Sequence, residues 1–158
     1  MNSTHTIAPI PAGYTSVTPY IIVHDAKAAL AFYLAAFGAQ IEVQLDMPDG
    51  NIGHAEFCVG GAHIMLGQET TEGEQVFQSP RALGGTASSI MLYVPDCEAV
   101  FAASVQAGAT VLEPLSLKFY GDKAGRIQDP FGHQWMIATH VENVSDDEVK
   151  RRLAALYN

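Results

Sequence analysis

YGDKAGRIQDPFGHQWMIATH, residues 120–140, is the stretch of the sequence that decides the predicted fold. Within it, Gly125–Gln128 and Gln134–Thr139 have the lengths of two strands, and the four residues Asp129-Pro130-Phe131-Gly132 separate them. Proline sets a negative φ at the second position of a tight turn, and glycine tolerates the positive φ that often closes one. The stretch therefore predicts a β-hairpin.

A shorter hairpin upstream belongs to a repeat that runs through the chain. Two apolar runs, 54–59 and 62–66, flank Gly60-Gly61. Asp25 and Asp96, which are 71 residues apart, each precede a segment of helical periodicity, and a Gly-Ala pair, a strand and a hairpin follow each segment. The sequence thus predicts two βαβββ repeats, at 14–67 and 86–140, with an N-terminal tail at 1–13, a linker at 68–85 and a C-terminal helix within 141–158.

This duplication predicts an α+β fold in which the βαβββ units form a curved mixed sheet, with the helices on its convex side. The concave side would be a cleft, the usual place for a small-molecule site. Two breaks are expected in the pattern, a loop throughout the linker and an end to the strand 109–113 at Pro114.

Composition excludes several classes of partner. The chain of 158 residues carries a net charge of −9 and only eight Lys and Arg, whereas nucleic acids and anionic membranes require clustered basic side chains. The sequence has no apolar run long enough to span a membrane, and Cys58 and Cys97 form no CxxC motif. Because MNSTHTIAPIPAG lacks a basic segment followed by an apolar one, we do not expect it to act as a signal peptide. We therefore expect a cytoplasmic protein with free thiols, no nucleic-acid partner and no membrane partner.

The repeat, the segment VHDAKAALAFYLAAFGA (23–39) and the segment DPFGHQW (129–135) together resemble the vicinal oxygen chelate superfamily. That superfamily includes glyoxalase I, extradiol dioxygenases and the fosfomycin and bleomycin resistance proteins, and the closest resemblance is to its PhnB-like branch. The resemblance covers about residues 14–140 and implies the glyoxalase/bleomycin resistance fold. Because one fold supports many chemistries, it implies no single reaction.

The resemblance also implies where a metal would bind. Metal-dependent members use side chains on the first and fourth strands of each repeat, and those positions are here Thr18, Met65, Ser89 and Met136. Hydroxyl and thioether groups are poor ligands for divalent ions that prefer carboxylate or imidazole. We therefore expect no divalent metal cofactor, and elemental analysis of the purified protein tests this expectation.

Strand alternation selects the candidate site residues. If Gly60-Gly61 is a two-residue turn, Cys58 pairs with His63 and Glu56 with Met65, and paired residues share a face. The predicted ligand-binding cleft then contains Tyr20, His54, Met65, Tyr93 and Met136, with Glu56 and His63 as candidate catalytic residues. His54 and His63 are too far apart for one ion, since four residues of strand span roughly 13 Å.

Two functions remain open at this point. The chain is either a binder of a small hydrophobic or aromatic molecule without the family metal site, or an enzyme of the lyase, isomerase or dioxygenase type. The enzyme would move protons through Glu56 and His63 without metal, or would use a divalent site still to be identified. In both cases we expect a homodimer, because small duplicated units of this kind usually complete their clefts across a dimer.

Overall fold

The computed structural model describes residues 7–71 and 76–157; residues 1–6 of the predicted tail, 72–75 of the predicted linker and Asn158 lie outside the described residues. The first βαβββ unit is formed by β1 (Tyr20–Val23), α1 (Ala26–Phe37), β2 (Gln40–Asp46), β3 (Ile52–Val59) and β4 (Ala62–Gln68). After the short helix α2 (Pro80–Leu83), the second unit is formed by β5 (Ser89–Tyr93), α3 (Cys97–Gln106), β6 (Thr110–Leu117), β7 (Asp122–Gln128) and β8 (Gln134–His140), and α4 (Asp146–Ala155) follows.

Each unit folds into its own four-stranded mixed sheet. The strand orders are β1-β4-β3-β2 and β5-β8-β7-β6, and in both sheets the first pair is parallel and the other two are antiparallel. The duplicated α+β architecture is therefore confirmed, with the described strands divided between two sheets that share no backbone pairing. Packing of α1 against α3 joins the two units.

The repeat is visible in matching capping and pairing contacts. Asp25 accepts a hydrogen bond from the Ala28 amide at the start of α1, and Asp96 accepts one from the Ala99 amide at the start of α3. Such caps satisfy backbone donors that the first helical turn leaves free. In the sheets, Tyr20 lies opposite Met65 as Met91 lies opposite Met136. The N-terminal caps of the helices and the pairing of the strands are thus equivalent in the two units.

The core lies between the sheets and the helical layer. Phe57 and Leu66 of the first sheet, Trp135 of the second and Tyr33 of α1 are all fully buried. Tyr33 stacks on Phe57 with ring centroids 4.9 Å apart and also contacts Trp135 at 5.6 Å. Burying side chains of this size contributes about 1.5–3 kcal/mol each. The helix-facing side of both sheets is therefore occupied by the core, and the opposite side is the one left open.

Asp129 organises the β7–β8 turn and ties it to the first unit. Its carboxylate is only 3% exposed, and it accepts hydrogen bonds from the Phe131 and His133 amides, from Trp135 Nε1 and from the Tyr33 hydroxyl. Burial and the neighbouring Asp129 raise the pKa of Tyr33 well above its usual range. The predicted turn is confirmed, and its aspartate also links the two halves of the core.

Two local features differ from the sequence-based expectations. β6 continues through Pro114 to Leu117, because β6 is an edge strand where the missing proline N–H costs no ladder bond, and its register shifts beside the proline. The linker contains α2, which Ser79 caps and Pro80 begins. None of the described helices has the length and apolar character to cross a membrane.

Candidate functional site

The side of the first sheet that faces away from the helices carries the polar candidates. In β3 the core-facing residues Ala55, Phe57 and Val59 alternate with half-buried neighbours. The predicted pairings hold, since Cys58 lies opposite His63 and Glu56 opposite Met65. We call this side the first face; its residues are Tyr20, His54, Glu56, Cys58, His63 and Met65.

Three titratable side chains form a chain of contacts on the first face. The Tyr20 hydroxyl lies 3.3 Å from His54 Nδ1, and His54 Nε2 lies 3.1 Å from Glu56 Oε1. The Tyr20 and His54 rings also stack with centroids 5.7 Å apart. An imidazole between a phenol and a carboxylate can pass a proton from one to the other. Glu56 is thus partnered by His54, two residues away on its own strand, and the predicted Glu56–His63 dyad is not formed.

A cavity opens beside Tyr20. It has a volume of about 520 Å³, and its lining includes Tyr20, Met47, Gly67 and Phe77. A Cβ at Gly67 would lie 2.9 Å from the Tyr20 hydroxyl, so a larger residue at this position would displace the Tyr20 ring. The Tyr20 and Phe77 rings stack at 6.3 Å, which gives the cavity an aromatic wall. Met47 and Phe77 were not predicted as site residues, because they lie in a turn and in the linker, where strand alternation gives no information.

His63 lies at the other end of the first face, among groups that can bind a metal. Its Nδ1 is 2.8 Å from Glu42 Oε2, and the Tyr14 ring stacks on the imidazole at 4.2 Å. A nitrogen of His63, the sulfur of Cys58 and a carboxylate oxygen of Glu42 all lie within 4.8 Å of one another. Cys58 is therefore a half-buried thiol on an open face, and only Cys97 is in the core.

The corresponding side of the second sheet is the second face, with Ser89, Met91, Tyr93 and Met136. Its polar cluster is at one end, where buried Asp122 accepts a hydrogen bond from the Tyr93 hydroxyl at 2.7 Å and lies 2.7 Å from His140 Nδ1. The bond to Asp122 raises the pKa of Tyr93. Bonds to Asp122 and then to Asn143 raise the pKa of His140. Tyr93 was predicted on this face, whereas Asp122 and His140 were not, because Gly121 before β7 and Gly125 within it obscure the alternation.

The five predicted cleft residues are therefore divided between two sheets. Tyr20, His54 and Met65 are on the first face, whereas Tyr93 and Met136 are on the second. Of the five, Tyr20 alone lines the 520 Å³ cavity.

The four inherited metal positions do not fit a divalent ion. Thr18, Met65, Ser89 and Met136 offer two hydroxyl and two thioether groups. Among the residues that the structure describes, the cluster with three ligating side chains is instead Glu42, Cys58 and His63. We therefore assign no metal-dependent chemistry to the inherited positions.

Comparison with known proteins identifies the class that this fold and this site define. The profile of the Glyoxalase/Bleomycin resistance protein/Dioxygenase superfamily matches residues 13–137, and the chain belongs to that superfamily. An uncharacterized protein of Mycobacterium bovis is 34% identical over 143 residues, covering 89% of this chain and 93% of its own length. An uncharacterized protein of Mycobacterium tuberculosis has the same identity, with 83% of its length covered.

Solved structures agree on the fold. TioX from Micromonospora superposes with a TM-score of 0.64 at 24% identity, covering 80% of this chain and 99% of its own. The PhnB protein from Bacillus cereus, described as a putative 3-demethylubiquinone-9 3-methyltransferase, has a TM-score of 0.61 at 20% identity, with coverage of 79% and 99%. A PhnB-type protein is thus among the structural neighbours, as the sequence resemblance predicted. At these identities the likeness shows the fold alone.

Proposed function

We propose that the protein binds a small molecule with an aromatic or apolar part on the first face, in a cleft without the family metal site. The observation that carries this proposal is the 520 Å³ cavity with Tyr20, Phe77 and Met47 in its lining. Its volume falls within the roughly 300–1,000 Å³ of small-molecule pockets. Aromatic rings provide rigid stacking surfaces, and methionine adapts its shape to different ligands.

Charge narrows the class of ligand. The cavity lining includes Asp49 and Glu69, and the whole chain carries a net charge of −9. A negative potential repels anions and raises the local concentration of cations. Neutral or positively charged aromatic molecules are therefore the expected ligands, and aromatic carboxylates and phosphates are disfavoured.

A second candidate function is acid–base catalysis at the same place. It is favoured by the continuous contacts from Tyr20 through His54 to Glu56. In this proposal Glu56 accepts a proton through His54, and the Tyr20 hydroxyl is the group that meets the substrate. General acid–base groups contribute about 10²–10⁴-fold to a rate. His63 has no place in this proton path, because its nearest carboxylate is Glu42.

We also propose that the protein works as a homodimer. Every residue of β2, an edge strand, is exposed. Val43 and Leu45, opposite Glu56 and His54, leave apolar side chains in solvent on the first face. Exposed strand edges and contiguous apolar patches are features that proteins normally cover. A second copy of this chain is the proposed cover. Sedimentation equilibrium at micromolar concentration should give twice the 16.9 kDa chain mass, and a stable monomer would contradict the proposal.

The ligand is sought by a thermal-shift screen. The compounds would be neutral and cationic aromatic metabolites and bleomycin-type drugs, with matched aromatic carboxylates as the charge control. A ligand at a hundred times its Kd stabilises a folded protein by about 2.7 kcal/mol, which is readily seen as a rise in melting temperature. Stabilisation by the carboxylates alone would contradict the charge argument.

Variants then separate the two candidate functions. Tyr20→Ala should weaken binding by about tenfold to a hundredfold, because it removes the aromatic wall. Tyr157→Ala, at an exposed tyrosine beyond α4, is the matched control and should leave affinity unchanged. Glu56→Gln should change binding little in a pure binder. If turnover of the ligand is found and falls by about 10²-fold or more in Glu56→Gln while binding persists, the protein is an acid–base enzyme and not only a binder.

A further inference from the structure

The cluster of Glu42, Cys58 and His63 occupies one end of the first face, apart from the Tyr20 cavity. Its three ligating atoms lie within 4.8 Å of one another. Cys58 and His63 are brought together by direct pairing across the β3–β4 hairpin, and Glu42 comes from the neighbouring strand β2. Three strands thus place a thiol, an imidazole and a carboxylate around one point.

A β-bulge brings Glu42 to this cluster. Ile41 pairs with Phe57 and Val43 pairs with Glu56, so Glu42 is the extra residue of the bulge. Without the bulge, regular pairing would set Glu42 directly opposite Glu56, where two carboxylates repel. The bulge leaves Glu42 free of that partner, and its Oε2 reaches to 2.8 Å from His63 Nδ1. Bulges commonly redirect a side chain next to a functional site.

The imidazole of His63 is held in place from its other side. The Tyr14 ring stacks on it at 4.2 Å, and a Cβ at Gly13 would lie 2.9 Å from His63 Nε2. His63 Nδ1 is buried and, although close to Glu42, makes no hydrogen bond of good geometry. A buried ring nitrogen without a hydrogen bond is costly, and a cation held between it and the carboxylate would satisfy both groups.

We propose that Glu42, Cys58 and His63 bind one zinc ion. One thiolate, one imidazole and one carboxylate form a donor set that suits Zn²⁺ better than Mg²⁺ or Ca²⁺, which take oxygen ligands. Three protein ligands leave a fourth position for water or a ligand, the arrangement of catalytic zinc sites. Of the three proposed ligands, His63 also lines a cavity of about 210 Å³, together with Thr18 and Gly61.

This site is separate from the inherited metal positions and is absent from the second repeat. The pairings place Leu112, Gln128 and Gln134 at the positions equivalent to Glu42, Cys58 and His63. Leu112 is also the extra residue of a β-bulge. The bulge is therefore present in both repeats, whereas the three ligating side chains are present only in the first. The expectation of a chain without divalent metal was based on Thr18, Met65, Ser89, Met136 and the separation of His54 from His63. It treated Cys58 as a free thiol and gave no role to Glu42.

The test uses Co²⁺ as a spectroscopic substitute for Zn²⁺, with the full chain kept reduced by a phosphine. Cobalt bound by a thiolate shows an intense sulfur-to-metal charge-transfer absorption, which reports on Cys58 directly. We expect one Co²⁺ per chain, displaced by one equivalent of Zn²⁺. Cys58→Ala should abolish the absorption. His63→Gln and Glu42→Gln should each weaken binding by at least the ~10–100-fold that even outer ligand partners contribute.

Cys97→Ala is the matched control, because Cys97 is the other free cysteine and is buried at the first residue of α3. It should retain both the stoichiometry and the absorption. Circular dichroism of every variant verifies folding, and if Cys58→Ala does not fold, Cys58→Ser replaces it. Three results would overturn the proposal: no cobalt binding at millimolar concentration, an absorption that persists without Cys58, or loss of the absorption in Cys97→Ala. Because the readout is metal binding alone, it is independent of whether an aromatic ligand is found.

Discussion

The two repeats share one backbone plan but present different chemistry on their open faces. The pairings set Tyr20 equivalent to Met91, Glu56 to Arg126, and His63 to Gln134. At these three positions the first face therefore carries a phenol, a carboxylate and an imidazole, whereas the second carries methionine, arginine and glutamine. Met65 and Met136 are the same residue at equivalent positions. Duplication has kept the register and the caps, while several side chains on the open faces have diverged.

The turns of the two hairpins also differ, in their burial. Gly60 and Gly61 close the first hairpin with positive φ and nothing within 4 Å of their Cβ positions, whereas the longer β7–β8 turn contains buried Asp129. The first turn is exposed at the end of the first face, and the second is part of the core. The two turns thus differ in burial, and only the second contributes a buried carboxylate to the core.

The largest effect is expected from replacing Asp129, in the buried turn of the second repeat. Asp129→Ala leaves the buried Tyr33 hydroxyl and Trp135 Nε1 without their acceptor. Each unsatisfied buried group costs roughly 1–3 kcal/mol, so we expect unfolding in urea to reveal a loss of about 2–6 kcal/mol. Asp49→Ala, at an exposed aspartate that caps the β2–β3 turn, is the control and should shift the midpoint little. Equal losses in the two variants would contradict the assigned role of Asp129.

The next largest effect is expected on ligand affinity, when the equivalent residues Met65 and Met136 are each replaced by glutamate. Once a ligand is known, Met65→Glu should lower its affinity at least tenfold, about 1.4 kcal/mol, because a charge is placed on the face that binds the apolar ligand. Met136→Glu should lower affinity less, since Met136 is on the second face. Titration calorimetry on both variants measures the difference. A larger loss in Met136→Glu would move the binding site to the second sheet.

The smallest effect is expected for the pKa of His140, which pairs with Asp122 on the second face. Asp122 raises the pKa of His140, so its protonated form is favoured in the folded state. The stabilisation from this pair is complete below the ordinary histidine pKa and is lost as pH rises through the raised value. NMR titration should give a pKa above about 6.5, the unperturbed value. Asp122→Asn should lower the pKa of His140, and an unchanged value would contradict the pairing.

Much of the fold was predictable because its signals are local. Asp25 and Asp96 as caps, Gly38 as the end of α1 and the pairing of Cys58 with His63 each follow from a few neighbouring residues. The helix predicted within 141–158 is likewise present as α4, with Ser145 as its N-cap. The division of the strands between two sheets was not predictable, because it depends on how α1 packs on α3 and on which strand edges remain unpaired.

The candidate site was predictable only where strands alternate regularly. The face shared by His54, Glu56 and His63 was identified correctly, but the partner of each was not. Glu56 contacts His54 along its own strand, and His63 contacts Glu42, which a bulge displaces from regular pairing. A bulge has no distinct residue signature in this sequence. The cavity wall from Phe77 comes from the linker, where the sequence carries no periodicity.

The most direct test of the central claim, that the first repeat carries the binding site, uses the methionine methyl groups. Four of the five methionines lie in the described residues: Met47 lines the cavity, Met65 is on the first face, and Met91 and Met136 are on the second. In methyl NMR of ¹³C-methionine-labelled protein, the strongest ligand from the thermal-shift screen is added stepwise. The largest shift changes should fall on Met47 and Met65. If the largest changes fall on Met91 and Met136, the claim is contradicted.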